Sequence, residues 1–270
     1  MECLEIGLLG PLTVTVGGVS VVPRAAQQRR LLALLVVNLG REVGMAAIEE
    51  ELWAGRPPSR PAATVQTYVK EIRQRIAAAA AQSPRECDPK ALLSRGHNGY
   101  RLGEPEARLD ARVFEAAVRD ASHAHASGDD ARAACLLSAG LALWRGRALE
   151  DVRCGGALGA EAMRLEELRL AALEARIDAD LRLGRHHGLV SELTALTRLY
   201  PLQENVHGQL ILALHRSGRP SHALEVFRRL RATFVRELGI EPSRRLQDLH
   251  RSVLAADALL DAPMPAVAAL

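Results

Sequence analysis

Aromatic residues are scarce: three Phe, three Tyr and two Trp make up 3% of the 270 residues. Leu and Ala are left to do most of the packing, which favours helix. Cysteine is equally thin. Cys3, Cys87, Cys135 and Cys154 lie far apart and form no CxxC pair, so spacing supports neither a zinc site nor a disulfide framework. Free thiols, mostly packed, are expected. Long apolar runs are also missing. The longest, Leu31 to Val37, is too short to span a bilayer. The opening Met1-Glu2-Cys3-Leu4-Glu5 lacks the basic start and apolar core of a secretory signal. These absences together predict a cytoplasmic chain with no membrane partner.

Catalytic signatures are absent too. There is no GxxxxGK[ST] phosphate loop, no GxGxxG fingerprint and no nucleophile elbow. His186-His187 and His123-x-His125 suggest metal at first sight, but no carboxylate or Cys completes a ligand set at the right spacing. No cofactor, no metal and no enzymatic activity are expected. Trp53 and Trp144 each sit at a helix end among Leu and Ala and are read as packing anchors.

What is present is a chain long enough for two domains, with uneven charge. Residues 1–102 carry 13 Lys/Arg against 9 Asp/Glu, whereas residues 103–270 carry 22 against 23. The excess is concentrated: Arg60, Lys70, Arg73 and Arg75 face one acid, Glu71. A basic cluster in one domain fits contact with nucleic acid.

Along the chain, Leu4/Ile6/Leu8, then Leu12/Val14/Val16, then Val19/Val21 alternate with polar residues, broken at Gly10-Pro11 and Gly17-Gly18. This period of two predicts a short antiparallel sheet with a Gly-Gly hairpin. A buried helix is predicted over Gln27–Asn38 and a short one over Met45–Trp53, with Gly44 at its cap. The third, about Ala62–Ala81, is the informative one. Val65, Val69, Ile72 and Ile76 form a narrow apolar seam, while Thr67, Glu71 and Gln74, flanked by Thr64 and Lys70, point the other way. A helix in a major groove needs such a division, one side on the protein and one on base edges. An ordinary amphipathic surface helix has the same pattern.

Leu92-Leu93-Ser94 and Tyr100-Arg101-Leu102 then flank Arg95-Gly96-His97-Asn98-Gly99, a second hairpin with a Gly-rich, basic tip. A hairpin that follows a recognition helix is a wing, and its basic residues meet phosphate or the minor groove. Beyond Leu102 the pattern is helical throughout. Leu183-Gly184-Arg185 and Ser217-Gly218-Arg219 stand 34 residues apart, the period of tetratricopeptide repeats. The 56 residues between Gly128 and Gly184 show that the array is interrupted. The fold class predicted is an α+β winged helix-turn-helix over residues 1–103, an all-α tetratricopeptide-like domain over 104–260 and a flexible tail over 261–270.

Several segments together resemble one known family. Leu9-Gly10-Pro11-Leu12, Gln28-Arg29, Leu52-Trp53, Thr64-Val65-Gln66-Thr67-Tyr68-Val69 and Gly99-Tyr100-Arg101-Leu102 are similar to the Streptomyces antibiotic regulatory proteins. Ala142-Leu143-Trp144-Arg145-Gly146, Leu165-Glu166-Glu167-Leu168-Arg169 and Glu237-Leu238-Gly239-Ile240-Glu241-Pro242 resemble the family's bacterial transcriptional activation domain. The resemblance implies an OmpR-type winged helix on direct repeats in a promoter, usually that of a secondary-metabolite gene cluster. It implies contact with RNA polymerase through its sigma or alpha subunits, and a homodimer on DNA. Larger members append a nucleotide-binding domain; this chain is read as a short form. It departs from the pattern in having Glu71 where Arg is usual, Gln27 where Lys is common and Gly44 in place of a capping Ser.

The candidate DNA contacts are therefore Thr64, Thr67, Tyr68, Lys70, Glu71, Arg73 and Gln74 on the third helix, Arg95, His97 and Arg101 on the wing, and Arg29 on the first helix. Thr64 and Thr67 are the preferred pair for DNA, and a phosphate contact for the Tyr68 hydroxyl is left open. The rival reading is a tetratricopeptide-like scaffold with a purely structural N-terminal domain. Hairpin-built superhelices make concave surfaces, so an effector or partner groove is expected in the helical part.

Overall fold

The computed structural model describes residues 4–82, 88–103 and 107–260. The expected tail and two of the four cysteines, Cys3 and Cys87, lie outside the described residues. Of the other two thiols, Cys154 is half-buried but Cys135 is exposed, against the expectation of packed cysteines.

The chain opens with β1 (Leu4–Gly7), β2 (Thr13–Val16) and β3 (Val19–Ser20). β1 and β2 pair antiparallel, with Leu4 opposite Val16 and Ile6 opposite Val14. The alternation works as anticipated: Leu4, Ile6, Val14 and Val16 are buried. What the alternation did not disclose is a fourth strand. Arg108 and Leu109 (β7) add parallel to β1, so the sheet runs β3-β2-β1-β7. Asp110 fastens this junction by accepting the amides of Leu8 (2.8 Å) and Leu9 (3.2 Å).

Three helices follow. α1 (Ala26–Val37) is buried over most of its length, α2 (Met45–Trp53) follows the three-residue β4 (Glu42–Gly44), and α3 (Pro61–Ala80) is the longest. Pro61 at the first turn of α3 has no amide to leave unsatisfied and pre-sets φ for the helix. After the short α4 (Pro89–Leu92), the hairpin β5 (Leu93–Arg95) and β6 (Gly99–Leu102) joins β4 in a three-stranded sheet, β4-β6-β5.

The remaining helices are α5 (Asp110–Ala126), α6 (Asp130–Leu141), α7 (Gly156–Arg182), α8 (His186–Leu199), α9 (Glu204–Arg216), α10 (Pro220–Leu238) and α11 (Arg244–Leu254). Gly128, Gly184 and Gly218 all have φ between 71° and 80°. That left-handed conformation ends a helix cheaply in Gly alone, which is why the hairpins turn there.

Contacts divide the chain into two compact units: Met1–Ala116 with Gly140–Arg169, and Ala117–Ala139 with Leu170–Leu270. By contacts, residues beyond the boundary expected at 103 pack with the N-terminal unit. In that unit Phe114 meets the Trp144 ring edge-on at 5.5 Å, and the Arg169 guanidinium lies 4.5 Å over the same ring. Trp144 is an anchor, as expected. In the second unit Ile177, Leu181, Leu193, Leu210, Phe227 and Leu230 head a core made almost wholly of aliphatic side chains. Asp130 holds both the Arg182 guanidinium (3.0 Å) and the His125 ring (2.9 Å) beside that core.

Candidate nucleic-acid interface

The seam on α3 is as dry as its spacing implies: Val65, Val69, Ile72 and Ile76 are all at most 1% exposed. It follows that the opposite side of a regular helix is turned outward. Thr67, Lys70 and Gln74 are exposed there, and Thr64 is half-buried. A helix of this length extends about 30 Å, enough to lie along a groove.

Thr64 and Thr67 each donate their hydroxyl proton to a carbonyl four residues back, Arg60 and Ala63, at 3.0 Å. Each oxygen then keeps acceptor capacity, and each methyl remains available to an apolar neighbour. Against a base edge, such a threonine receives from an amino group or touches a thymine methyl.

Two residues on the flanks of the helix behave differently from expectation. Glu71 does not stand free on the outer face; the Gln28 side-chain amide of α1 donates to its carboxylate. Arg73 turns the other way, its Nε donating to the Leu93 carbonyl at 2.8 Å. Both project sideways from the outer face, so neighbouring elements capture them. Tyr68 is half-buried, at the edge of the seam.

Arg29, expected among the DNA contacts, is likewise engaged within the protein. Its guanidinium binds the Asp151 carboxylate at 2.9 Å and the Asp151 carbonyl, with Nε on the Pro23 carbonyl. Three acceptors of its own unit thus hold this guanidinium. Gln27, which replaces a common Lys, donates to the Leu52 carbonyl. Arg30, which the sequence did not single out, is buried and donates to the carbonyls of Glu51 and Leu52. α1 thus satisfies the open carbonyls at the end of α2.

The wing is built from the backbone outward. Gly96 N donates to Gly99 O at 2.9 Å, closing the hairpin. Glu42 accepts the Asn98 amide at 2.7 Å, and Met45 N donates to the Asn98 carbonyl at 2.8 Å. The tip is therefore fastened to the start of α2. Arg95, His97 and Arg101 are exposed. Among the described residues, Lys70, Arg75, Arg95 and Arg101 have no ion-pair partner. Tyr100 is buried behind them.

A small cleft of about 100 Å³ separates the wing tip from the first turns of α3, with Ala62, Gln66, His97 and Asn98 among its walls. Gln66 and Asn98 are exposed polar residues that sequence reasoning left out. Asn98 reads as a mere turn residue, and Gln66 lies toward the wing side of the helix, which becomes meaningful only once the wing is in place.

The arrangement offers hydrogen bonding, methyl groups and positive charge on an exposed helix face and hairpin. Burial, with the Glu51 carboxylate nearby, pushes the Cys154 thiol up, away from the thiolate form that a nucleophile needs.

Residues 109–254 match the bacterial transcriptional activator domain family. Over 266 residues the chain is 42% identical to the regulatory protein DnrI of Streptomyces peucetius, covering 98% of this chain and 97% of that protein. It is 34% identical to the transcriptional regulator RedD of Streptomyces coelicolor, covering 97% of this chain and 73% of the relative. Among solved structures, Mycobacterium tuberculosis EmbR, determined in complex with a low-affinity phosphopeptide, superimposes with a TM-score of 0.86 at 35% identity. That match covers 98% of this chain and 67% of the EmbR chain.

Proposed function

Since this chain belongs to the Streptomyces antibiotic regulatory protein family of transcriptional activators, we propose that α3 enters the major groove of promoter DNA while the β5–β6 hairpin rests on the adjoining backbone. The observation that carries this reading is the division of α3: a seam at most 1% exposed on one side, and Thr67, Lys70 and Gln74 exposed on the other. Thr67 and Gln74 contact bases, with Gln66 beside them. Lys70, Arg95 and Arg101 contact phosphates and supply affinity without sequence preference.

Direct repeats about one helical turn apart would set two protomers on one face of the duplex. Residues 109–254 would supply the activation step by contacting RNA polymerase. The target is a promoter of a secondary-metabolite gene cluster, and the chain works in the cytoplasm, at the nucleoid. Its output is binding, with no catalytic step and no cofactor.

The test is footprinting of the full chain on DNA upstream of its neighbouring operons, repeated across salt. The expected result is protection of tandem sites, with affinity falling steeply as salt rises. Absence of protection at low salt would overturn the reading. Among the described residues no helix is long and apolar enough to cross a membrane.

A further inference from the structure

The second unit contains a groove of about 420 Å³ between α8, α9 and α10. Its floor is apolar: Leu210, Leu214 and Leu230 line it and are buried. Its rim is not. Arg198 from α8 and Arg219 just before α10 both line the groove, both are exposed, and neither has an ion-pair partner among the described residues. Arg229 stands on the same rim beside the one lining acid, Glu225, which it pairs at 2.8 Å. His222 adds a fourth nitrogenous group. Two cations are thus left uncompensated around an apolar trough.

His207 gives the floor a polar point. It is 7% exposed, and its Nδ1 lies 3.0 Å from the Gln203 carbonyl. A carbonyl can only accept, so Nδ1 carries the proton and Nε2 of the neutral ring is an acceptor. Nε2 has no partner among the described residues. An occupant of the groove must then offer apolar groups to the floor, a donor to His207 and negative charge to Arg198 and Arg219.

We propose that this groove binds a short acidic segment of a partner protein, with aliphatic side chains on Leu210, Leu214 and Leu230, a backbone N–H on His207 Nε2, and carboxylates on Arg198 and Arg219. Charge complementarity commits the site to a peptide with carboxylates. Aliphatic side chains commit it to a peptide and not to duplex DNA, whose outer surface is phosphate and sugar with nothing to fill an apolar trough. Guanidinium groups favour carboxylate through paired, charge-assisted hydrogen bonds.

The test uses the full chain and a fluorescein-labelled decapeptide alternating Glu and Leu, read by anisotropy. A Gln/Leu and a Lys/Leu decapeptide serve as controls. The Glu/Leu peptide is expected to bind and the controls not to. Reversing both rim charges, Arg198→Glu with Arg219→Glu, is expected to weaken binding by about tenfold or more. Arg198→Lys with Arg219→Lys, which keeps the charge but loses the paired geometry, is expected to weaken it less than the double reversal, and Arg244→Glu with Arg251→Glu, on α11 outside the groove lining, to leave it unchanged. Far-UV circular dichroism checks that each variant is folded. Four outcomes would overturn the proposal: no binding of the Glu/Leu peptide, equal binding of a control peptide, equal loss in the α11 variant, or displacement of the peptide by duplex DNA.

Discussion

The Glu51 carboxylate accepts the backbone amide of Gly155 at 2.6 Å, across more than a hundred residues of sequence. Its other oxygen accepts the amides of Ala157 (2.9 Å) and Leu158 (3.3 Å), the first turn of α7. Glu51 is 2% exposed. A side chain of α2 is therefore the N-terminal cap of α7, and an anion at that end also suits the helix dipole.

Glu51→Ala would leave the amides of Gly155, Ala157 and Leu158 without their acceptor, the last of them buried. The expected loss of stability is roughly 2–4 kcal/mol. Glu51→Gln should also destabilise, because its NH₂ faces backbone donors and cannot receive from them. Urea unfolding checks both. An unchanged midpoint for Glu51→Ala would show that the cap carries no weight.

Lys70 and Thr67 should separate charge from readout. Lys70→Ala is expected to weaken every DNA sequence about equally and to lower the salt slope by about 1. Thr67→Ala should cost roughly 1–3 kcal/mol on the preferred site and relax preference at one base position, with the salt slope intact. Titrations across salt on specific and random duplexes decide the matter.

Arg29 offers the opposite contrast. Its guanidinium is held by Asp151, with side chains 25% and 33% exposed. Arg29→Ala should lower stability by up to about 1 kcal/mol and leave the salt slope of DNA binding as it was. A slope reduced as much as that of Lys70→Ala would place Arg29 on phosphate after all.

Gly99 allows no side chain. A Cβ built there runs into the Val43 carbonyl and crowds the Cα of Gly44, its partner across β4 and β6. Gly99→Ala must break that pairing or displace the wing, at a cost of more than about 3 kcal/mol. Gly18→Ala is the comparison: open space surrounds it, and its strain comes from φ of +83° alone. Thermal unfolding should rank Gly99→Ala well below Gly18→Ala.

His207 sets a pH dependence. Burial holds its pKa below the ordinary 6.5, and burial lowers His186 and His250 in the same direction. The unfolded chain thus takes up these protons first, so stability is full above that value and is lost as pH falls through it. Asp178, pushed up by burial, acts in the opposite sense and at lower pH, above its ordinary 3.8. Melting temperatures taken from about pH 7.5 down to 5.5 should fall in the parent chain and fall less in His207→Gln. Equal slopes would remove His207 from this account.

Much of the fold was legible because its signals are local. The alternation of Leu4, Ile6, Val14 and Val16, the Val65/Val69/Ile72/Ile76 seam and the 34-residue spacing of Gly184 and Gly218 each report a short stretch of backbone whose period decides which side is buried. For the same reason the outward placement of Thr67, Lys70 and Gln74 could be read from sequence. The strand at Arg108–Leu109 could not, since two residues have no period, and they form a strand only because β1 presents a free edge.

What the sequence determined by itself was element type, the dry side of α3 and the family. What only tertiary structure decided was the partner of each flanking charge: Glu71 to Gln28, Arg73 to the Leu93 carbonyl, Arg29 to Asp151 and Glu51 to the start of α7. A long polar side chain reaches several ångströms in any direction its rotamers allow. Its position on a helix narrows the arc but leaves open which distant donor or acceptor lies within it. That depends on how the elements pack, and packing is a property of the whole chain.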